Sequence, residues 1–270
     1  MTHQTRATAR NKAPARASAS MVKIWMPIGL LAAAVQLGAS PARFASGPGR
    51  VVLIELYTSE GCSSCPPADA WLGKLRERPG LWSEFVPVQF HVDYWDGPGW
   101  KDRLATREFT AREYAYASAW GAQSAYTPCI VRDGAEWRPQ WGAAGGPAAL
   151  TGILALESGD DGAWSVSFRP GPAARSSPDG LYEAHVAWLG GGISSRVTAG
   201  ENAGSVLEHE FVVLAIASGV LSPGAAGDGL RATLGPLRPP AVVCALHAIA
   251  AWITPHHEME PVQAAGGWLP

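Results

Sequence analysis

The chain has 270 residues, a formal net charge of −2, 47% hydrophobic residues and only 16% charged ones. That is enough apolar material for one or two domains with a sizeable core, and it leaves no basic footprint for nucleic acid. Four cysteines are too few for a disulfide-stapled miniature fold.

Residues 1–50 carry only positive charges (Arg6, Arg10, Lys12, Arg16, Lys23, Arg43 and Arg50), and the first acid is Glu55. Residues 24–37 are largely apolar, too short to span a bilayer and right for a signal h-region. Ser40-Pro41-Ala42 offers small residues for cleavage after Ala42. Residues 1–42 are therefore expected to be a signal peptide, with Met21 as a second possible start and a disordered basic arm as the alternative reading. The expected product is periplasmic or secreted, with no stable membrane span after cleavage.

Residues 51–56 are β-branched and apolar and read as a buried strand. A polar turn follows, then Cys62-Ser63-Ser64-Cys65. From Pro66 the period changes: Ala68, Trp71, Leu72 and Leu75 fall on one helical face, until Pro79-Gly80 stops the helix. A cysteine at a helix N-terminus has its thiol lowered by the dipole and unpaired N–H groups. Cys65 is spaced to resolve a mixed disulfide formed on Cys62. Cys62 is expected to be accessible and Cys65 shielded. Glu55 interrupts the strand and could accept the proton of Cys65 if buried, or lie solvated at an edge.

Residues 85–91 read as a second strand, with Pro87 suiting a strand start or an edge. A helix is expected over about 104–120, closed by Gly121. Cys129-Ile130-Val131-Arg132, the pair Asp133-Gly134 and the residues after it predict a hairpin with a type I′ turn. Gly145-Gly146-Pro147 is expected to start another helix reaching about Leu156. Beyond Asp160, strand-like runs separated by Gly, Pro and Ser clusters predict a mostly antiparallel β domain.

The residues from Glu55 to Asp69, Phe90-His91-Val92-Asp93-Tyr94-Trp95-Asp96, Gly99-Trp100-Lys101-Asp102, Tyr126-Thr127-Pro128 and Gly200-Glu201-Asn202-Ala203-Gly204 with Leu207 and His209 resemble a secreted bacterial family. That family is known only as a domain of unknown function (number twelve-twenty-three). Cys129 stands where it usually has glutamine, and Ala245-Leu246-His247-Ala248 replaces its Gln-Asp strand end. The resemblance implies a thioredoxin-like fold, a cis bond between Thr127 and Pro128, and a substrate-docking loop there, with Tyr126 and Trp95 beside it. The expected fold class is α/β: a thioredoxin-like N-terminal domain (50–158), then a mostly antiparallel β domain (160–255) and a tail (256–270).

The expected function is thiol–disulfide exchange with protein thiols or disulfides, through Cys62 and Cys65 with Glu55 as proton acceptor and no cofactor. One alternative is a soft-metal carrier, copper for example, holding the ion with Cys62, Cys65 and His91. Another is a binding module with an inert disulfide. His209 between two acids, and His256-His257-Glu258, read as strand surface and solvated tail. Cys129 is expected to fill core space without bridging to Cys244.

Overall fold

The computed structural model describes residues 40–97, 99–138, 149–227 and 229–270. The signal-peptide expectation falls on residues 1–39, outside the described residues, except for Ser40 to Ala42. In chain order the first half holds β1 (Arg43–Ala45), β2 (Val52–Thr58), α1 (Pro66–Lys74), β3 (Phe85–His91) and α2 (Arg107–Ala119). Strands β4 (Cys129–Arg132), β5 (Ala135–Glu136), β6 (Gly152–Ser158) and β7 (Trp164–Pro170) follow. The rest is strand: β8 (Tyr182–Gly191), β9 (Ile193–Arg196), β10 (Val206–His209), β11 (Val212–Val220), β12 (Ser222–Pro223), β13 (Leu230–Leu234), β14 (Leu246–Pro255) and β15 (Gln263–Trp268).

The expected fold class is overturned. The described chain is mostly β with two α-helices, and no thioredoxin-like α/β domain stands apart at its N-terminal side. The main sheet has eight strands in the order β15-β14-β8-β11-β3-β2-β4-β5, so strands from both halves of the chain share one ladder. The junction is β11, which joins β3 in parallel at Val212↔Gln89 and β8 antiparallel along its length. Residues 40–270 accordingly cluster as one unit. Sequence order does not display such a long-range pairing, and the shift toward β composition after Asp160 imitates a domain boundary.

A second, antiparallel sheet, β1-β6-β7-β13-β12, packs through Leu154, Leu156, Val166 and Phe168 onto Ala184, Val186, Ile249 and Ala251 of the main sheet. Residues 152–156 therefore belong to a strand and not to the end of a helix. Their burial alternates with the period of two that a half-covered strand requires. Gln263–Trp268, expected within the tail, is the edge strand β15.

The helix expected over about 104–120 is α2, three residues shorter at its start, and the expected turn at Asp133-Gly134 is present. Thr106 caps α2 by accepting from the Phe109 N–H, and Asp133 and Gly134 both take positive φ (48° and 84°), as a type I′ turn demands. Strand β2 is buried along its whole length because α1 and α2 cover its two faces. Thr58 bonds Asp69 of α1, whereas Glu55, an odd number of residues away, bonds Arg112 and Tyr116 of α2. Pro87 sits inside the main sheet, in β3, but β11 pairs with β3 only at Gln89, so the missing N–H costs no bond on that side.

Candidate functional site

The turn from Ser59 to Cys65 connects the C-terminal end of β2 to α1 and is closed by short-range bonds. The Cys62 N–H donates to Ser59 O and the Cys65 N–H to Cys62 O, both at 3.2 Å. Cys62 and Cys65 lie at disulfide distance, with Cα atoms 5.5 Å apart. Cys65 is the N-cap of α1 and Pro66 and Pro67 are its first two residues, so neither carries an N–H to offer a sulfur. The next two amides, of Ala68 and Asp69, donate to Cys65 O. What the helix gives this pair is its dipole, without the unpaired N–H groups expected from the sequence.

Both cysteines are fully buried, and the expected accessibility of Cys62 is thus not found. The cover comes from the loop between β9 and β10. Asn202 Nδ2 donates to Glu60 O and Cys62 O, each at 2.9 Å, and Glu201 Oε2 accepts from the Ser63 N–H at 3.1 Å. Gly200 and Gly204, both with positive φ, let this short loop double back onto the turn. Ser63 and Ser64 stay exposed, and Ser64 Oγ lies 3.3 Å from Cys62 Sγ.

Two grooves flank the turn. One of about 360 Å³ is lined by Ser64, Pro67, Trp71, Tyr126, Pro128 and Trp137 among others. The other, about 310 Å³, is lined by Gly61, Trp95, Trp100 and Glu201 among others. Thr127–Pro128 is a cis bond, and Thr127 Oγ1 accepts from Trp95 Nε1 at 2.7 Å. Gly61 packs so close to Trp95 that a Cβ there would lie 3.0 Å from the Trp95 Cβ. Tyr126, Thr127, Pro128 and Trp95 are thus gathered around the cysteine turn.

Glu55 is elsewhere in its bonding. Its carboxylate accepts from Tyr57 OH at 2.9 Å, from Arg112 Nε at 2.8 Å and from Tyr116 OH. Burial works against the Arg112 charge, but Glu55 beside it prevails and holds the guanidinium protonated. Burial and then Glu55 push the Tyr57 and Tyr116 phenols well up, so both remain O–H donors. The two oxygens of Glu55 are thus taken by three donors from β2 and α2.

His91 is likewise engaged at both ring nitrogens. Nδ1 lies 2.7 Å from Asp102 Oδ2, and Nε2 lies 3.3 Å from Gln89 Nε2. Among the described residues no group of three His, Cys, Asp or Glu is arranged to hold a metal ion, so the Cys62, Cys65 and His91 set is not assembled. Burial opposes ionisation of Asp102, yet His91 and the backbone N–H groups of Glu60 and Leu104 bring it down to about 2.

The chain belongs to an uncharacterised family. The profile described as "Protein of unknown function (DUF1223)" matches residues 53–227. Comparison with curated proteins gives no match. Among solved structures, the chain resembles protein AGR_C_4864 of Agrobacterium tumefaciens at 24% identity and a TM-score of 0.55, over 82% of this chain and 94% of that one. HBP35 of Porphyromonas gingivalis aligns at 13% identity and a TM-score of 0.49, over 82% of this chain and 76% of that one. The first likeness concerns the fold alone.

Several residues against the cysteine turn of this DUF1223 protein escape a reading of local pattern. His209, expected on a strand surface, is fully buried, 3.5 Å from Glu60 Oε1 and 3.3 Å from Asp69 Oδ2. Its ring meets that of His91 edge to face at 4.8 Å. Burial pulls the imidazole down, but Asp69 and Glu60 outweigh it and raise the group to about 9. Cys129 is buried and Cys244 half-buried, and neither is bridged. Burial pushes the Cys129 thiol up to about 12, which disfavours a thiolate there. No described helix is long and apolar enough to cross a membrane.

Proposed function

We propose that this protein exchanges disulfides with protein thiols through Cys62 and Cys65. The observation that carries the reading is the cysteine pair at disulfide distance at the head of α1, with an exposed Ser63-Ser64 bridge and a groove reaching Ser64. In the reducing direction, the Cys62 thiolate attacks a substrate disulfide and one substrate sulfur leaves as a thiolate. Cys65, its proton lost to solvent, then attacks Cys62 Sγ, closes the pair and releases the second substrate thiolate. The reverse sequence oxidises a substrate dithiol. The Ser64–Pro128 groove would seat the apolar side chains that flank a substrate cysteine.

The burial of Cys62 supports a second reading, an inert disulfide in a binding module. For exchange, the Glu201 and Asn202 bonds must open. Residues 1–42, basic and then apolar, favour an oxidising compartment outside the cytoplasm, where either reading has a use. The test is equilibration of the pure protein with glutathione buffers, together with trapping by Cys65→Ala. A measurable potential and defined mixed disulfides on Cys62 support exchange. A pair that no thiol buffer reduces without unfolding, and that traps no partner, leaves the inert disulfide.

A further inference from the structure

The cysteine turn sits over two buried acids. Glu60 is two residues before Cys62, and Asp69 lies in the first turn of α1 with its N–H on Cys65 O. Both side chains are buried. An anion so near a cysteine disfavours the thiolate that exchange requires, and the two prolines that open α1 remove amide donors that would offset it. Among the described residues, the one basic side chain whose nitrogens face both carboxylates at 3.5 Å or less is His209, delivered from β10.

Resting on the exchange reading above, we propose that His209 is a positioning residue for the Cys62–Cys65 pair: its imidazolium, wedged between Glu60 and Asp69, cancels one of the two negative charges beneath the turn and so lets the thiolate form. The remaining charged neighbours are accounted for. His91 of β3 meets the ring edge to face and is itself bonded to Asp102, whose second role is to accept the Glu60 N–H. On β10 and just beyond it, Glu208 is exposed and Glu210 is paired with Arg76 at 3.1 Å. Thr58 occupies the other oxygen of Asp69 at 2.8 Å. His209 thus faces two carboxylates, with no competing anion on its own strand. Both of its nitrogens and both Glu60 oxygens are buried and meet no hydrogen-bond geometry, so what joins the imidazole to the two carboxylates is ionic proximity at 3.5 and 3.3 Å.

The test is the pH dependence of iodoacetamide labelling at Cys62 in the reduced full-length protein, read by peptide mass, for the wild type, His209→Gln, Glu60→Gln and the double variant. His209→Gln should move the labelling midpoint up by about one pH unit, equivalent to roughly tenfold slower labelling below it. Glu60→Gln should move the midpoint down. The double variant, with the net charge of the wild-type cluster, should return close to the wild-type value. Should His209→Gln fail to fold, the double variant read against Glu60→Gln still carries the test, since the two differ only in the His209 charge and the double variant should label with a midpoint about one pH unit higher. Coincident midpoints in all folded variants, or a double variant that behaves like His209→Gln, would overturn the proposal. Wild-type cysteines that resist reduction and trap no partner would instead defeat the exchange reading itself.

Discussion

Arg112→Met separates a structural role for Glu55 from a catalytic one. Arg112 donates to Glu55 Oε2 at 2.8 Å and stands 5.1 to 5.5 Å from the ring centroids of Trp252, Phe90 and Tyr116. Methionine keeps much of the stem volume but strands a buried carboxylate on two tyrosine hydroxyls. Removing one partner of a buried pair costs about 3–5 kcal/mol, and lost cation–π contact adds about 0.5–1 kcal/mol. A total near 4 kcal/mol would lower the melting temperature by about 8–16 °C in a unit of this size. Adding Glu55→Met should recover only part of the loss, because Tyr57 OH then loses its acceptor, whereas Tyr116 OH keeps Met259 O at 3.0 Å.

The assay is urea unfolding of the disulfide form, monitored by tryptophan fluorescence, beside the pH profile of Cys62 labelling in the reduced form. The structural role requires a large stability loss and an unmoved labelling profile in whatever fraction stays folded. A loss below about 1 kcal/mol, the range of a solvated pair, would refute the buried anion. A labelling midpoint that shifts in Glu55→Gln would return Glu55 to the proton-transfer role expected from sequence.

Asn202→Ala leaves two buried carbonyls without their shared donor; it should cost about 1–3 kcal/mol and speed phosphine reduction of the cysteine pair, and an unchanged reduction rate would show that the loop is no cover. Cys129→Ser should leave exchange with glutathione unaltered while lowering stability modestly; a changed exchange constant would make Cys129 a third participant. The pH dependence of stability has two limbs that fall as pH rises. His209 is raised from 6.5 to about 9, so its contribution is whole below 6.5 and lost as pH rises through 9. Burial raises Glu113 from 4.5 to about 7, so its limb falls between those values and should flatten in Glu113→Gln, as urea midpoints across pH would show. On the acid side, burial lowers His185 to about 3, so its contribution is whole above 6.5 and lost as pH falls toward 3.

What was legible in the sequence is what local chemistry decides. The period change at Pro66 and the Asp133-Gly134 turn each act within a few residues, and each is found where the pattern puts it. The same logic, used more fully, reaches His209. In Glu208-His209-Glu210 the strand period exposes the first acid and turns the histidine to the buried side with Leu207, so an apolar neighbour two residues back was the available signal. Residues 152–156 depart from the expected helix for the opposite reason. The Gly-Gly-Pro upstream outweighed an alternation at Leu154 and Leu156 that marks a strand.

The fold class failed where locality ends. Nothing near Val212 announces that it will sit beside Gln89, yet that one register joins the two halves of the chain into a single sheet. The site follows from the same crossing. Strand β10 and the loop before it lie just ahead of β11, so the insertion of β11 next to β3 carries Glu201, Asn202 and His209 to the turn at the end of β2. The cysteines come from one half of the sequence, and their cover and the cation beneath them come from the other. Strands that look in sequence like an appended β domain therefore supply the groups that lie against the cysteine turn.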